Sequence, residues 1–310
     1  GGFIPTDENP FMINPERGFV SSANQQPVDG TYPYYLGTAN AFPMYRGISV
    51  NKRLSVMNQI TPEDMQHLQT DNFNVFAQMA RPALNKFIQL DQLSGDAKRM
   101  VSILNNWNLY NNPNEKGITV FKMIWDSVES AVWGDELSAY NFPLSKPDPN
   151  ILLEQMLRDT NYVVADDVRT SNKRETLKEQ VNLGIENATH KLLELEKENK
   201  LEWAAFKSTK VLHLTKIPAL SRLNLPIGGG QHIINATTEQ HGPSWRMVVH
   251  LTDETEAYGL YPGGQSGNPG SPYYDNFVDT WAKGSYYKVW IMKKTEKNNN
   301  KVIGKLTFNH

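Results

Sequence analysis

The chain has 310 residues, of which 39% are hydrophobic and 21% charged, and its formal net charge is −2. This length allows a substantial buried core, in one large domain or two ordinary ones. The balanced charge gives no indication of a basic surface for nucleic acid. No apolar run approaches the ~20 residues of a membrane-spanning helix. The absence of cysteine excludes a disulfide framework, thiol catalysis and zinc–thiolate sites.

The N-terminal part of the chain is rich in proline, glycine, asparagine and tyrosine. Its one clear strand-like run is "GFVSSANQ", residues 18–25, which is bounded by turn-forming residues. We therefore expect residues 1–55 to form a strand and loop segment that joins a core sheet.

Helical signals fill residues 56–218, which we predict to be a helical domain. The first helix begins with Thr61 as N-cap and Pro62 at the first helical position. A longer amphipathic run, "ITVFKMIWDSVESAVW", covers residues 118–133, and Asp148 followed by proline gives the start signal of another helix.

The longest helix is predicted over residues 174–200. Its apolar residues recur at spacings of three and four, over fewer heptads than a coiled coil requires. The stripe therefore indicates packing against neighbouring helices. A short helix is expected to follow within residues 201–214.

Residues 219–310 are predicted to supply the C-terminal strands of the core. "SWRMVVHL", residues 244–251, has the period of two that is typical of a strand with one buried face, and its apolar set is Trp245, Met247, Val249 and Leu251. Further strands are predicted over 286–294 and 301–308. Helices and strands that are segregated along the chain indicate an α+β fold.

Two glycine-rich stretches, Gly228–Gly230 and residues 263–270, raise the question of phosphate binding. Neither is followed by Lys-Ser/Thr or by a helix, and neither closes a short βα unit, as phosphate-cradling loops do. Nucleotide binding is therefore not expected.

His241 and Ser244 raise a second question, because a serine and a histidine can form a nucleophile pair. Residues this close along one chain rarely point at each other, and Pro243 holds the segment extended. We expect backbone hydrogen bonds at the start of the strand instead, and Arg246 to pair with a carboxylate. No histidine pair has metal-binding spacing, so no metal site is predicted.

Two segments together resemble one protein family. The first is "NPERGFVSSANQQP", residues 14–27, in which Asn-Pro precedes a glycine and a strand that ends in Ala-Asn-Gln. The second runs from "GGGQHIINATTEQHGPSWRMVVHL" at residue 228 to "PGGQSGNPGSPYYDNFVDTWAKGSYYKVWI" at residue 262 and beyond. In this order they are similar to the C-terminal part of the β chain of the penicillin amidases, also called penicillin acylases.

The resemblance implies an N-terminal-nucleophile hydrolase, made as an exported, periplasmic precursor that cleaves itself into α and β chains. The N-terminal serine of the new β chain attacks a linear amide with its own α-amine as base, and an asparagine side chain with backbone N–H groups holds the oxyanion. The acyl group leaves as a carboxylic acid. Many members also bind a structural calcium ion.

This sequence departs from the family pattern at its first residue, because Gly1 has no nucleophilic atom. The oxyanion asparagine and most calcium carboxylates of the family belong to segments upstream of "NPERGFVSSANQQP". No catalytic residue, metal ligand or cofactor is therefore predicted in this chain. The candidate pocket-wall or support residues are Asn24, Gln25, Ser244, Trp245 and Arg246.

Our leading hypothesis is a C-terminal β-chain fragment of an amide hydrolase, inactive alone. Its partners would be the α chain and the N-terminal part of the β chain, with a small-molecule amide as substrate and neither nucleic acid nor a membrane span involved. The sheet should then expose unpaired strand edges and apolar faces where the partners pack. The alternatives are a non-catalytic binding or interaction module and, more weakly, a standalone hydrolase that uses His241 and Ser244.

Overall fold

The computed structural model describes residues 2–36, 43–140, 142–158, 161–293, 296 and 300–309. Its helices are α1 (Tyr45–Leu54), α2 (Pro62–Gln69), α3 (Val75–Asn85), α4 (Gly95–Asn106), α5 (Gly117–Ser138), α6 (Pro149–Arg158), α7 (Leu177–Lys197), α8 (Trp203–Lys207) and α9 (Val278–Ala282). Its strands are β1 (Arg246–His250), β2 (Glu256–Leu260) and β3 (Tyr287–Val289). The described chain is thus mixed, with a helical part followed by a small sheet, which confirms the α+β prediction.

Two helices begin at reciprocal capping boxes. At the start of α2 the Asp64 N–H donates to Thr61 Oγ1 at 3.2 Å, while the Thr61 N–H donates to the Asp64 carboxylate at 2.9 Å. Thr176 and Glu179 make the same exchange at the start of α7. The predicted start of α2 is confirmed, and α7 begins at Leu177 because Thr176 is its cap.

Helices α5 and α7 pack at close range in the larger hydrophobic core, which extends from Tyr45 to Trp203. A Cβ atom at Gly184 of α7 would lie 2.7 Å from Val128 Cγ2 and 2.8 Å from Val128 Cα. The apolar stripe of α7 is no more than 1% exposed at Leu177, Val181, Ile185, Ala188 and Leu192. The stripe therefore forms a core contact, as predicted.

The sheet is antiparallel, with the order β1-β2-β3. Met247 of β1 pairs with Gly259 of β2, and Gly259 pairs in turn with Tyr287 of β3. The side-chain amide of Gln69, at the end of α2, donates to the Met247 carbonyl at 2.9 Å. A second, smaller core of Leu225, Ile227, Leu260, Val278 and Trp281 lies beside the sheet.

The face of β1 that is buried is the opposite of the one its apolar residues suggest. Arg246 and Val248 are buried, at 2% and 8% exposure, and the Arg246 guanidinium lies over the Trp281 ring of the smaller core. The apolar set Trp245, Met247, Val249 and Leu251 is 41–84% exposed. Tyr287 and Val289 of β3 extend this exposed apolar face across the sheet.

Two predicted strands are wrong. Residues 18–25 and 301–308 form no strand, because no strand of the described chain pairs with them and a ladder needs a partner. The predicted strand 286–294 is reduced to β3, and residue 294 lies outside the described residues.

None of the described helices is long and apolar enough to cross a membrane. The division into residues 1–55, 56–218 and 219–310 remains a prediction.

Candidate functional site

Asn24 and Gln25 lie at a backbone turn beside α1. Asn24 has a positive φ of 61°, and its Oδ1 accepts a hydrogen bond from Arg46 Nη2 at 2.9 Å. The Gln25 Oε1 accepts from the Ala23 N–H at 2.7 Å, and its side chain packs beside Gly47. These contacts attach the N-terminal segment to α1, and a role of either residue in a substrate pocket stays a prediction.

Ser244 and Trp245 are both exposed at the start of β1. The Trp245 ring lies 5.9 Å from that of Tyr261, between ring centroids. The His241 N–H donates to Thr238 Oγ1 at 3.1 Å, and within the described residues no hydrogen bond joins His241 to Ser244. The structure thus lacks the contact on which a Ser–His nucleophile depends.

Arg246 is the one buried member of the predicted set. Its Nη1 donates to the Trp281 carbonyl at 2.8 Å, its Nη2 donates to Asn235 Oδ1 at 3.1 Å, and its Cζ lies 5.4 Å from the centroid of the Trp281 ring. The prediction that Arg246 pairs with a carboxylate is wrong, since no ion pair to it occurs in the described chain. Burial lowers the pKa of this guanidinium, which nonetheless stays charged at neutral pH.

An asparagine network continues from Arg246 into the helical part. Asn235, which is 4% exposed, donates from Nδ2 to Asn72 Oδ1 at 2.9 Å, and Asn72 donates from Nδ2 to Asn112 Oδ1 at 3.0 Å. The Asn235 N–H donates to the Asp71 carbonyl at 3.1 Å. Arg246 therefore contacts the junction between sheet and helices, and its assignment as a pocket-wall or support residue stays a prediction.

The glycine triplet Gly228–Gly230 passes through this junction without room for side chains. A Cβ on Gly228 would lie 2.6 Å from the Asn111 carbonyl oxygen, and one on Gly229 would lie 2.0 Å from the Asn235 carbonyl oxygen. Gly229 also has φ of +80°, where side chains are disfavoured. The triplet is a close-packing feature and its carbonyl groups face two side chains of α8.

Those two side chains are Trp203 and Lys207. Trp203 Nε1 donates to the Gly229 carbonyl at 2.7 Å, and Lys207 Nζ donates to the Gly228 carbonyl at 2.6 Å and to Thr237 Oγ1 at 2.5 Å. Lys207 is only 8% exposed, and burial lowers the pKa of its amine to about 7.

A cavity of about 340 Å³ opens beside Lys207, between α5, α8 and the loop 230–239. Its wall includes the aromatic side chains of Phe76, Phe121, Trp125, Trp203 and Phe206, beside polar and charged residues. Its volume lies within the range of small-molecule pockets. Sequence reasoning did not find this site, because Lys207 in "WAAFK" resembles any surface lysine and its burial depends on the distant glycine triplet.

No group of three or more His, Asp or Glu side chains among the described residues is arranged to hold a metal ion. That the calcium site lies elsewhere stays a prediction.

The fold is similar to that of a solved enzyme structure, the thermostable penicillin G acylase from Alcaligenes faecalis. The match has a TM-score of 0.61 at 15% sequence identity and covers 96% of this chain and 58% of that chain. At this identity the likeness concerns the fold alone.

The family model described as penicillin amidase matches residues 1–298, and the chain belongs to that family. It is also similar to the acyl-homoserine lactone acylase QuiP of Pseudomonas syringae pv. syringae (strain B728a), with 23% identity over 98% of this chain and 40% of the relative. A QuiP of Pseudomonas fluorescens is 36% identical over a shorter match, 20% of this chain and 9% of the relative. The chain thus spans 40% of the length of the first of these relatives.

Proposed function

We propose that this chain is the C-terminal β-chain part of an acylase that hydrolyses linear amides and releases the acyl group as a carboxylic acid. Membership of the penicillin amidase family supports this proposal, as does similarity to proteins named as acyl-homoserine lactone acylases. The chain contributes the support of a catalytic centre and not its nucleophile. By the same family resemblance, the enzyme acts outside the cytoplasm as an exported protein.

The observation that carries the proposal is the exposed apolar face of the sheet, formed by Trp245, Met247, Val249, Leu251, Tyr287 and Val289, with exposures of 39–84%. Contiguous apolar surfaces of this kind are typical of interaction sites. β1 and β3 are the edge strands of the described sheet. The Gln69 amide already occupies the Met247 carbonyl of β1, so a further strand would pair at the outer edge of β3. Both features fit docking of the α chain and the N-terminal part of the β chain against this face.

The contacts of the described residues support the proposal that the isolated chain has no hydrolytic activity. Ser244 is exposed without a contact to His241, and the one buried cation of the predicted set, Arg246, is engaged by a backbone carbonyl and an amide. Neither arrangement activates a nucleophile.

The test compares the 310-residue chain alone with the same chain co-expressed with the remaining part of the acylase. We expect the chain alone not to hydrolyse a chromogenic acyl-anilide, and the pair to co-purify and hydrolyse it. Met247→Glu should abolish co-purification, because it places a charge in the apolar face. Leu183→Glu is the matched control, since Leu183 of α7 is 50% exposed and Met247 is 49% exposed. Hydrolysis by the isolated chain would refute the proposal.

A non-catalytic binding module is the second candidate, and the cavity beside Lys207 is the observation that favours it. It would become the leading function if the co-expressed pair assembled but left the anilide intact.

A further inference from the structure

The Lys207 ammonium group is buried without a negative charge beside it. Its Nζ contacts two neutral acceptors, the Gly228 carbonyl and Thr237 Oγ1, and these account for two of its three N–H donors. No carboxylate of the described chain forms an ion pair with it. A buried charge that lacks a counter-charge is costly, and an anion that arrived beside it would offset that cost.

Aromatic rings from α5 and α8 form part of the cavity wall beside this ammonium group. The Trp203 and Phe206 rings stack at 5.8 Å between centroids with an angle of 26°, and Lys207 Nζ lies 5.8 Å from the centroid of the Trp203 ring. Phe121 and Trp125 of α5 form the facing wall, with centroids 5.9 Å apart. The cavity of about 340 Å³ has room for a ring or a short alkyl chain.

The two carboxylates that line the cavity are already paired with other cations, so they do not neutralise Lys207. Asp126 accepts from Lys122 Nζ at 2.7 Å, and Glu239 pairs with Lys210. Both carboxylates lie on the cavity wall and disfavour a ligand with more than one negative charge.

We propose that the cavity is a binding site for a small monocarboxylate with an aromatic or short apolar group. The carboxylate takes the free donor of Lys207 Nζ, and the apolar group lies between Trp203 and the aromatic wall of α5. The inference does not depend on the proposed acylase function, because it concerns equilibrium binding to groups that are all in this chain.

Binding should take up a proton, since burial places the pKa of Lys207 at about 7 and a bound carboxylate favours the charged amine. Among the described residues, the other titratable or charged groups at or near the cavity are Lys122 and Asp126 of α5, Asp148 before α6, His232 and Glu239 of the loop, Lys210, and Arg46 of α1 through its effect on His232. Burial lowers the pKa of His232, so that imidazole is neutral when Lys207 titrates. Above pH 8 the affinity for the carboxylate should therefore fall about tenfold for each pH unit.

The experiment uses three ligands of nearly equal shape: 4-phenylbutyrate, its neutral amide and the matching amine, 4-phenylbutan-1-amine. Isothermal titration calorimetry at pH 6.5 measures each affinity, and repeats at pH 8 in buffers of different ionisation enthalpy measure proton uptake, because the free amine is mostly deprotonated there. We expect the carboxylate to bind roughly 10- to 100-fold more tightly than the amide, as a charge-assisted hydrogen bond provides, and the amine more weakly than either. This comparison needs no substitution and so does not depend on the folding of a variant.

Lys207→Met should remove the preference for the carboxylate and the proton uptake, while the amide still binds. Lys200→Met is the control, because Lys200 is exposed and pairs only with Glu198 among the described contacts. Three results would each overturn the proposal: no binding of 4-phenylbutyrate by the unaltered chain, equal affinities for the acid and the amide, or a preference that survives Lys207→Met.

Discussion

Replacing Gly184 by alanine is expected to destabilise the chain, although alanine is the better helix former. Gly184 lies inside α7, where the exchange alone would favour the helix by about 1 kcal/mol. The added Cβ, however, would lie 2.8 Å from both Val128 Cα and Val128 N, which are backbone atoms of α5. Since no side-chain rotation relieves a backbone contact, α5 and α7 must move apart.

Overpacking of a tight core costs about 1–3 kcal/mol, and a backbone contact belongs at the upper end of that range. After the helix-propensity gain is subtracted, Gly184→Ala should lower the free energy of unfolding by about 2 kcal/mol. Gly134 of α5 is the matched control, because a Cβ there would meet nothing within 4 Å. Gly134→Ala should therefore raise the free energy of unfolding by about 1 kcal/mol.

The assay is urea denaturation followed by tryptophan fluorescence and by circular dichroism, with the midpoints compared at constant slope. A third variant sharpens the test, because Val128→Ala removes Cγ2 but leaves the backbone atoms in place. Combining it with Gly184→Ala should restore little of the lost stability. The reasoning fails if Gly184→Ala stabilises the chain as much as Gly134→Ala does, or if Val128→Ala rescues it fully.

Three further predictions concern charges. Burial raises the pKa of Glu129 to about 7, against the opposing hydrogen bond from Trp125 Nε1 at 2.8 Å, so the folded chain binds this proton more tightly than the unfolded chain and the free energy of unfolding falls as pH rises from about 4.5 to 7. Glu129→Gln should reduce this fall by up to about 3 kcal/mol, measured by urea denaturation across the pH range. An unchanged pH dependence in the variant would contradict the prediction. Arg246→Lys should lower the free energy of unfolding by about 2 kcal/mol, because a lysine ammonium lacks the planar fork by which the guanidinium reaches both the Trp281 carbonyl and Asn235 Oδ1. A loss under ~0.5 kcal/mol in the same assay would show that the junction does not depend on these two hydrogen bonds. Arg99 and Glu196 form a bidentate ion pair, with hydrogen bonds of 2.9 and 2.7 Å, that joins α4 to α7 at the surface. A double-mutant cycle with alanine should give a coupling energy of about 0.5–1 kcal/mol that decreases in 1 M salt. A coupling energy that does not depend on salt would refute the electrostatic account.

Local signals predicted the helices that begin with strong caps or carry long apolar stripes. Thr61 with Pro62 and the stripe of residues 174–200 were sufficient, because a cap and a period of 3.6 act within a few residues of chain. Helices α1, α3 and α4 were not predicted individually. Pro82 inside α3 and Gly95 at the start of α4 are locally poor helix residues, and their neighbours in the larger core outweigh that preference.

The strands were predicted less well for a related reason. A strand exists only with a partner, so residues 18–25 and 301–308 have extended sequence patterns but no ladder in the described chain. The alternation in β1 correctly indicated a strand, yet it did not tell which face is buried. That choice depends on where Trp281 and Leu260 lie.

The sequence by itself determined that the composition allows a substantial buried core, and it predicted the long helices and the position of β1. Through two segments near the ends it also showed the resemblance to the family to which the chain belongs. Only the tertiary structure decided that Arg246 contacts a carbonyl and an amide, that the glycine triplet is a packing feature, and that Lys207 is buried beside an aromatic cavity. The physical reason is distance along the chain. Caps and periodicities act between near neighbours, whereas the charge, burial and hydrogen bonding of Lys207 depend on Gly228 and Thr237, which are 21 and 30 residues away.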